Sequence, residues 1–471
     1  MAGYRQIADQ LVTLIDKQIL RVGDRIPSVR RATRLHRVNP GTVLRAYREL
    51  EARGLLESRP RSGYFVRRRG PQWVPEPAVT TPKPRASTVA PHDVILELVQ
   101  DLKRPDVVPL GLGFVHPDLL PGDDLTRAAI KAIRRLKSSE LIRDIAPGDP
   151  ELRRLIALRY LMSGLAIADE DIVIMNGGLE AVVLCLRALT KPGDTVAVEA
   201  PNWWPQLDAL GGLGLRVQEI STHPRTGLDL ESLEIAFRSR AVQACLVMPT
   251  FHNPLGSVMP EENKRAFAQL VERYKIPAIE NDRLIELYFD PPRPRPVKAF
   301  DNSGYVLHCG CFATCIAPGY LVGWVTAGRY RREVMRTRTL LSISTPAACQ
   351  AVMSEYLAHG PVDRHLRRMR EALAIRCKAM VAAIAKEFPV GCRMTHPVGG
   401  LAVWVELPKG TDALKLYRLA FAKGVSIAPG PMFSARHDFR NCMALYFGVA
   451  SVQQIHEGVR TVASLIERAS T

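Results

Sequence analysis

Six prolines crowd into residues 71–94, at positions 71, 75, 77, 82, 84 and 91. Proline locks φ and has no amide N–H, so neither a helix nor a central strand runs through such a stretch. The segment shows no apolar periodicity and follows directly on Arg67-Arg68-Arg69. It reads as a semi-rigid linker that cuts the chain into a short piece, 1–70, and a long one, 95–471. At 471 residues two or three domains are expected in any case.

The two pieces differ in charge. Residues 1–70 hold 16 Arg or Lys against 6 Asp or Glu, a surplus of ten out of the chain's net +17. A basic small piece on a less basic body points to a polyanion, most simply double-stranded DNA. No run of about 18 apolar residues occurs, so no membrane span is expected. The start, Met1 to Gln6, lacks the apolar stretch of a signal peptide. The nine cysteines form no CxxC pair, which suits a cytoplasmic protein with packed, reduced thiols and no metal site.

Apolar residues at helical spacing, Ile7, Leu11, Leu14, Ile15 and Ile19, predict a first helix over 4–20. Gly23-Asp24 breaks it. Ser28 is a candidate N-cap for a second helix running to about Leu35. After a turn at 36–38, Asn39-Pro40 opens a third, with asparagine as N-cap and proline at the first helical position. That helix runs through Val43, Ala46, Tyr47 and Leu50 to Arg53 and stops at Gly54. Two extended runs, 55–58 and 64–66, flank Arg59-Pro60-Arg61-Ser62-Gly63. Three helices and a two-stranded wing make a winged helix-turn-helix. The stretches Gly23 to Arg30, Val38 to Val43, Ala46 to Leu50 and Ser62 to Val66 closely resemble the GntR family of bacterial repressors. The resemblance implies that helix 39–53 enters the major groove of an operator. It also implies that Arg30, Asn39, Gly41, Thr42 and Arg45 touch phosphates or bases, and that Arg59 and Arg61 in the wing reach phosphate or the minor groove. Pro40 stands where many members carry an arginine, so the base-reading set is altered.

From about residue 95, helix patterns alternate with short apolar strands at 172–175, 195–199, 244–248, 276–279, 305–307 and 321–325. This is an α/β pattern. The signposts, in order, are Gly148 with Leu152-Arg153, Asn176-Gly177-Gly178, Pro192-Gly193-Asp194, Glu199 to Trp203, Asn253-Pro254-Leu255-Gly256, Glu280-Asn281-Asp282 and the loop from Gly310 to Trp324. The series resembles the fold-type-I aminotransferases, the pyridoxal phosphate (PLP)-dependent transferase fold. A GntR module ahead of that fold resembles the MocR subfamily. The resemblance implies a large domain, 95–471, that pairs the chain as a homodimer.

By the same resemblance, the usual handles on PLP are missing. An imine needs a lysine amine. The matching position is Thr314, and no lysine occurs between Lys298 and Lys378. The arginine that clamps the phosphate is Leu321, seven residues on. The carboxylate that keeps the pyridine nitrogen protonated is the neutral Asn281. Arg283 stands for the tyrosine near the ring hydroxyl, and Ala444 for the arginine that meets a substrate carboxylate. Other features survive. Gly177, Gly178 and Leu179 open a helix whose N–H groups can hold an anion. Trp203 can stack on a flat ring and Asn253 can donate to a ring oxygen, although a core tryptophan and a turn asparagine would look the same.

A hydrogen bond to a charged group is worth roughly 1.5–3 kcal/mol, so loss of the clamp and the pyridine carboxylate costs about 3–6 kcal/mol. That is roughly 100- to 10,000-fold in affinity before the covalent bond is counted. The expectation is a cytoplasmic DNA-binding regulator with no catalytic residues and no PLP. Its large domain dimerises and takes a small-molecule effector. The alternative is a PLP-binding regulator, or an aminotransferase with an unorthodox cofactor site.

Overall fold

The computed structural model describes residues 4–16, 19–21, 23–52, 55–59, 63–66, 74–89, 93–101, 104–137 and 147–469. The chain divides into two compact units, Met1–Val74 and Pro75–Thr471.

In the first unit, α1 (Tyr4–Asp16), α2 (Val29–His36) and α3 (Pro40–Ala52) precede an antiparallel pair, β1 (Leu56–Arg59) and β2 (Gly63–Val66). The first helix is shorter than its apolar spacing predicts. The second ends where Arg37 turns left-handed at φ 53° and its N–H caps the Thr33 carbonyl. Ile7, Leu11, Ala32, Val43, Ala46, Tyr47, Leu50 and Val66 close one small core. Both predicted N-caps form. Ser28 Oγ accepts from Arg31 N at 3.3 Å, and Asn39 Oδ1 accepts from Thr42 N at 2.8 Å.

The second unit is built on an eight-stranded sheet. From one edge its strands are 87–88, 216–220, 195–199, 242–247, 278–281, 306–311, 323–326 and 172–175. The strands are parallel except 87–88 and 323–326, which run against their neighbours. Strands buried on both faces read as unbroken apolar runs, as Ile172–Met175 does. Alternate side chains supply two cores. Val196, Val198, Leu246, Ile279 and Leu307 face helix 177–189. Ala197, Cys245, Val247, Ala278 and Val306 face helices 230–238 and 261–274. A smaller four-stranded sheet includes Ala402–Glu406 and Cys442–Tyr446.

Several sequence expectations shift, among them strands 244–248 and 305–307, which become 242–247 and 306–311. The run 276–279 becomes strand 278–281, because Pro277 has no N–H and offers only its carbonyl, to Cys245 N at 3.0 Å. The run 321–325 starts as a strand only at Gly323, since Leu321 is left-handed at φ 47°. A further shift concerns the proline-rich 71–94, expected as a linker. Over 75–89 it is packed on the large unit. Pro75 O accepts from Met394 N at 2.9 Å, the Thr80 hydroxyl donates to Ala200 O at 2.6 Å, and Ser87–Thr88 forms the edge strand against Arg216 and Val217. Its prolines, at 75, 77, 82 and 84, all precede that two-residue strand, so none removes an N–H from its ladder.

Glu199 ends strand 195–199 fully buried, with its carboxyl facing Met248 N at 2.9 Å. Burial pushes that carboxyl up to about 8 and pushes the neighbouring His252 down to about 3. Their 3.6 Å approach is therefore between neutral groups at pH 7.

Asn39→Ala removes the α3 cap and should lower the stability of the first unit by about 1 kcal/mol in chemical denaturation. Glu199 binds a proton more tightly folded than unfolded. Its contribution is complete below the ordinary carboxylate range and is lost as pH rises through about 8. The melting temperature of Glu199→Gln relative to wild type should thus climb from pH 5 to pH 9; a flat difference would contradict this.

Candidate functional site

The first unit presents one exposed polar face. On α3 the buried residues Val43, Ala46, Tyr47 and Leu50 hold one side against the core, which leaves Pro40, Gly41, Arg45 and Arg48 exposed on the other. Two contacts fix the helix. The Tyr47 hydroxyl donates to Pro27 O at 2.7 Å, and its ring meets Tyr64 of the wing edge-on at 5.1 Å. Asn39 Oδ1 also accepts from the Thr42 hydroxyl at 2.9 Å, so these two predicted contact residues first build the cap. A Cβ on Gly41 would lie 3.3 Å from that same Oδ1, so the glycine keeps the cap uncrowded. Arg45 lies with its guanidinium 4.2 Å over the Tyr4 ring, a stack that holds the charge at the exposed face. Arg30 is exposed on α2. Arg59 belongs to β1, and Arg61 lies outside the described residues.

In the second unit the singled-out residues gather at the C-terminal ends of the parallel strands, the usual place for ligands in open α/β sheets. Strand 172–175 turns at Gly177, φ 87°, into helix 177–189. A Cβ on Gly178 would meet Cys311 Sγ at 3.3 Å and Arg283 Cβ at 4.0 Å, so the first helical turn sits against both. Thr314 is 8% exposed in the turn after strand 306–311, with its hydroxyl 3.8 Å from Cys311 Sγ. Leu321 fills the space beside Gly177, its Cδ2 3.7 Å from where a Cβ there would stand, and is 54% exposed. Leu179, in the same helical turn, is exposed.

Trp203 precedes helix 204–212, and the Arg283 guanidinium lies 4.3 Å over its indole. Burial pushes that guanidinium down from its usual range. Asn281 ends strand 278–281 on the face shared with Cys309, and only 1% of it is exposed. Neither of its amide atoms has a hydrogen-bond partner. Asn253 Oδ1 accepts from the Tyr446 hydroxyl at 2.7 Å. Ala444 is buried in the smaller sheet between Trp404 and Ala428. These residues lie at or near the strand ends, except Ala444, which is a residue of the smaller sheet.

Sequence reasoning missed two features. Cys311 and Tyr446 join the site only through strand register. On the opposite face of the same strands, the Trp324 N–H donates to the Tyr160 oxygen at 2.8 Å, the Tyr160 hydroxyl to His308 Nδ1 at 2.7 Å, and His308 Nε2 to Asp282 at 2.9 Å. Glu280, Asp282 and His308 bring ligand-type atoms within 4.8 Å of one another, but the Glu280 oxygens accept from Val297 N and Lys298 N and both His308 nitrogens are engaged. The cluster is an internal hydrogen-bond network. Asp282 and His308 lie 26 residues apart, and no periodicity links them.

Residues 107–446 match the model of the class I and II aminotransferases, and residues 3–66 that of the gntR family of bacterial regulatory proteins. Relatives of full length include two HTH-type transcriptional regulators of Escherichia coli K12. YdcR is 37% identical over 435 residues, covering 92% of both chains, and YjiR is 33% identical over 469 residues, covering 100% of both. Among solved structures, the multiple substrate aminotransferase of Thermococcus profundus superposes with a TM-score of 0.75 at 27% identity, over 81% of this chain and 96% of its own. The α-aminoadipate aminotransferase LysN of Thermus thermophilus does so with a TM-score of 0.72 at 25% identity, over 80% of this chain and 95% of its own. The aminotransferase-only structures leave about a fifth of this chain uncovered, while the regulators span nearly all of it. The chain belongs to the class I and II aminotransferase family and carries a gntR-family domain ahead of it, the pairing found in MocR-type regulators.

Proposed function

We propose that this protein is a sequence-specific DNA-binding transcriptional regulator whose aminotransferase-like unit transfers no amino group, holds no PLP imine, and instead pairs two copies and answers a small molecule. The observation that carries the reading is the Arg283 guanidinium over Trp203. A flat cofactor needs that indole face, and here a cation covers it. The residues do not fit PLP in other respects either. Thr314 offers a hydroxyl in the turn where a lysine amine is needed. Asn281 brings a neutral amide, which leaves a pyridine nitrogen without its counter-charge. Leu321 offers no donor to a phosphate, and the fixed charge of Arg283 opposes a pyridinium.

Support for the DNA role is the exposed face of α3 with Arg45 on it, Arg30 on α2, and the surplus of basic residues in 1–70. Support for pairing is the apolar surface of helix Pro150–Met162, where Leu158, Leu161 and Met162 are exposed. Two copies imply two operator half-sites.

Arg30→Ala and Arg45→Ala should each weaken operator binding by about 1–3 kcal/mol, with unchanged melting of the large unit. Electrophoretic shift titrations at fixed salt read this, and full affinity in both variants would refute the placement of the DNA face. Thr314→Lys restores an amine but none of the other handles. With added PLP, that variant should show no amino-group transfer above wild type, and wild type should show no visible band lost on borohydride reduction. Turnover in the variant, or such a band in wild type, would overturn the reading.

A further inference from the structure

Arg283 is a cation without an anion. It is half-buried, and its guanidinium makes no hydrogen bond or ion pair with any described residue. The ionisable groups that act on it are the Cys311 thiol and the Tyr446 hydroxyl, and burial pushes the Tyr446 phenol well up. The nearest carboxylate in sequence, Asp282, is held by His308 on the other face of the sheet. A guanidinium withdrawn from water is normally matched by a carboxylate or phosphate, because five directed donors are left wanting. The stack on Trp203 compensates only in part, since it engages the flat face of the group and leaves the N–H edge free.

A second orphan lies on the same side. Asn281 is 1% exposed, sits on the sheet face that carries helix 177–189, and leaves both its amide oxygen and its amide nitrogen unpartnered. Buried amides are normally satisfied, so this one is set for a group that both donates and accepts. The first turn of helix 177–189 lies beside Arg283. Gly178 is in contact distance of Cys311 and Arg283, and the amide N–H groups of that turn have no helical partner.

We infer that this hollow receives a small carboxylic acid bearing a second, amide-like polar group, with the carboxylate on Arg283 and the polar group on Asn281. The inference rests on the reading that PLP is not held there. A carboxylate is favoured over a phosphate monoester because Arg283 is one fixed charge, and a planar carboxylate matches its fork in a bidentate pair. A phosphate near two charges asks for a second cation, and Leu321 supplies none.

The test uses the full chain and thermal melting. The probes are malonamate, succinamate and glutaramate, each against its neutral diamide, with inorganic phosphate alongside. At least one of the acids should raise the melting temperature and its diamide should not. In Arg283→Leu the acid's midpoint concentration should rise at least about tenfold, and Arg283→Lys should recover part of it. Without any probe, Arg283→Leu should melt no lower than wild type, because it removes a half-buried charge with no anion beside it. The inference falls if no acid stabilises wild type, if diamide or phosphate does so equally, if Arg283→Leu responds unchanged, or if that variant melts lower without ligand, which would make Arg283 a structural prop. A PLP imine band in wild type would instead sink the reading beneath it. Loss of operator binding by wild type would touch the DNA role alone.

Discussion

A Cβ on Gly323 would lie 2.5 Å from the carbonyl carbon of Gly177, so two main chains touch there with no room for a side chain. That contact lets strand 323–326 pair with 172–175 up to Met175, one residue before the turn. Gly177, left-handed at φ 87°, then throws the chain into helix 177–189, whose first turn comes down on Cys311 and Arg283. The helix N-terminus, the end of strand 306–311 and the end of strand 278–281 meet because of it. Substituting any larger residue at Gly323 would part the edge strand from its neighbour and open the hollow before altering any polar group in it.

Much of this was legible residue by residue. Asn39-Pro40 announces a helix start because cap and first-turn geometry are local, and the cap is found at 2.8 Å. Strands 172–175 and 195–199 fall where their apolar runs place them, because central parallel strands are buried on both faces. What failed was non-local or depended on one atom. Pro277 moves a strand start by two residues through a missing N–H. The prolines of 75–89 read as a linker, yet the segment packs on the large unit and its end, Ser87–Thr88, forms the edge strand, contacts that leave no periodic trace. The sequence names candidate site residues as departures from a family pattern. Their geometry was not legible, since the Arg283–Trp203 stack joins residues 80 positions apart and is written in no spacing.

On the proposed reading, the departures act on separate physical tasks. Thr314 concerns a covalent bond, Leu321 a phosphate, Asn281 the charge of a ring nitrogen, and Arg283 the stacking face. No single reversion restores more than one of them, and the stack adds an occupant where the others only remove a handle. A pocket that had merely decayed would be expected to fill with apolar side chains, since unpaired buried polar groups cost stability. This one keeps a buried amide without partners and a half-buried cation stacked on an indole. Such groups are characteristic of binding sites, in which local strain on stability is tolerated for what the site does when it is filled.

A ligand changes a protein's output only through different affinities for two of its states. If an acid binds in the hollow as inferred, Arg283 would supply that difference locally, unpaired with the site empty and paired with it filled. The surroundings then decide how far the difference travels. Trp203, under the guanidinium, lies three residues past Ala200, whose carbonyl accepts from the Thr80 hydroxyl at 2.6 Å. Thr80 N donates to Thr222 O and Thr80 Oγ1 accepts from Thr222 N, so Thr80 is clamped between the Trp203 loop and the strand beside it. Thr80 belongs to the stretch that leads from the first unit into the sheet edge. If acid binding moves Trp203, the Thr80–Ala200 hydrogen bond would carry the shift to the incoming chain without passing through the core. Had residues 75–89 been the free linker that their prolines suggest, that route would not exist, and the acid could act on DNA binding only by changing how two copies pair.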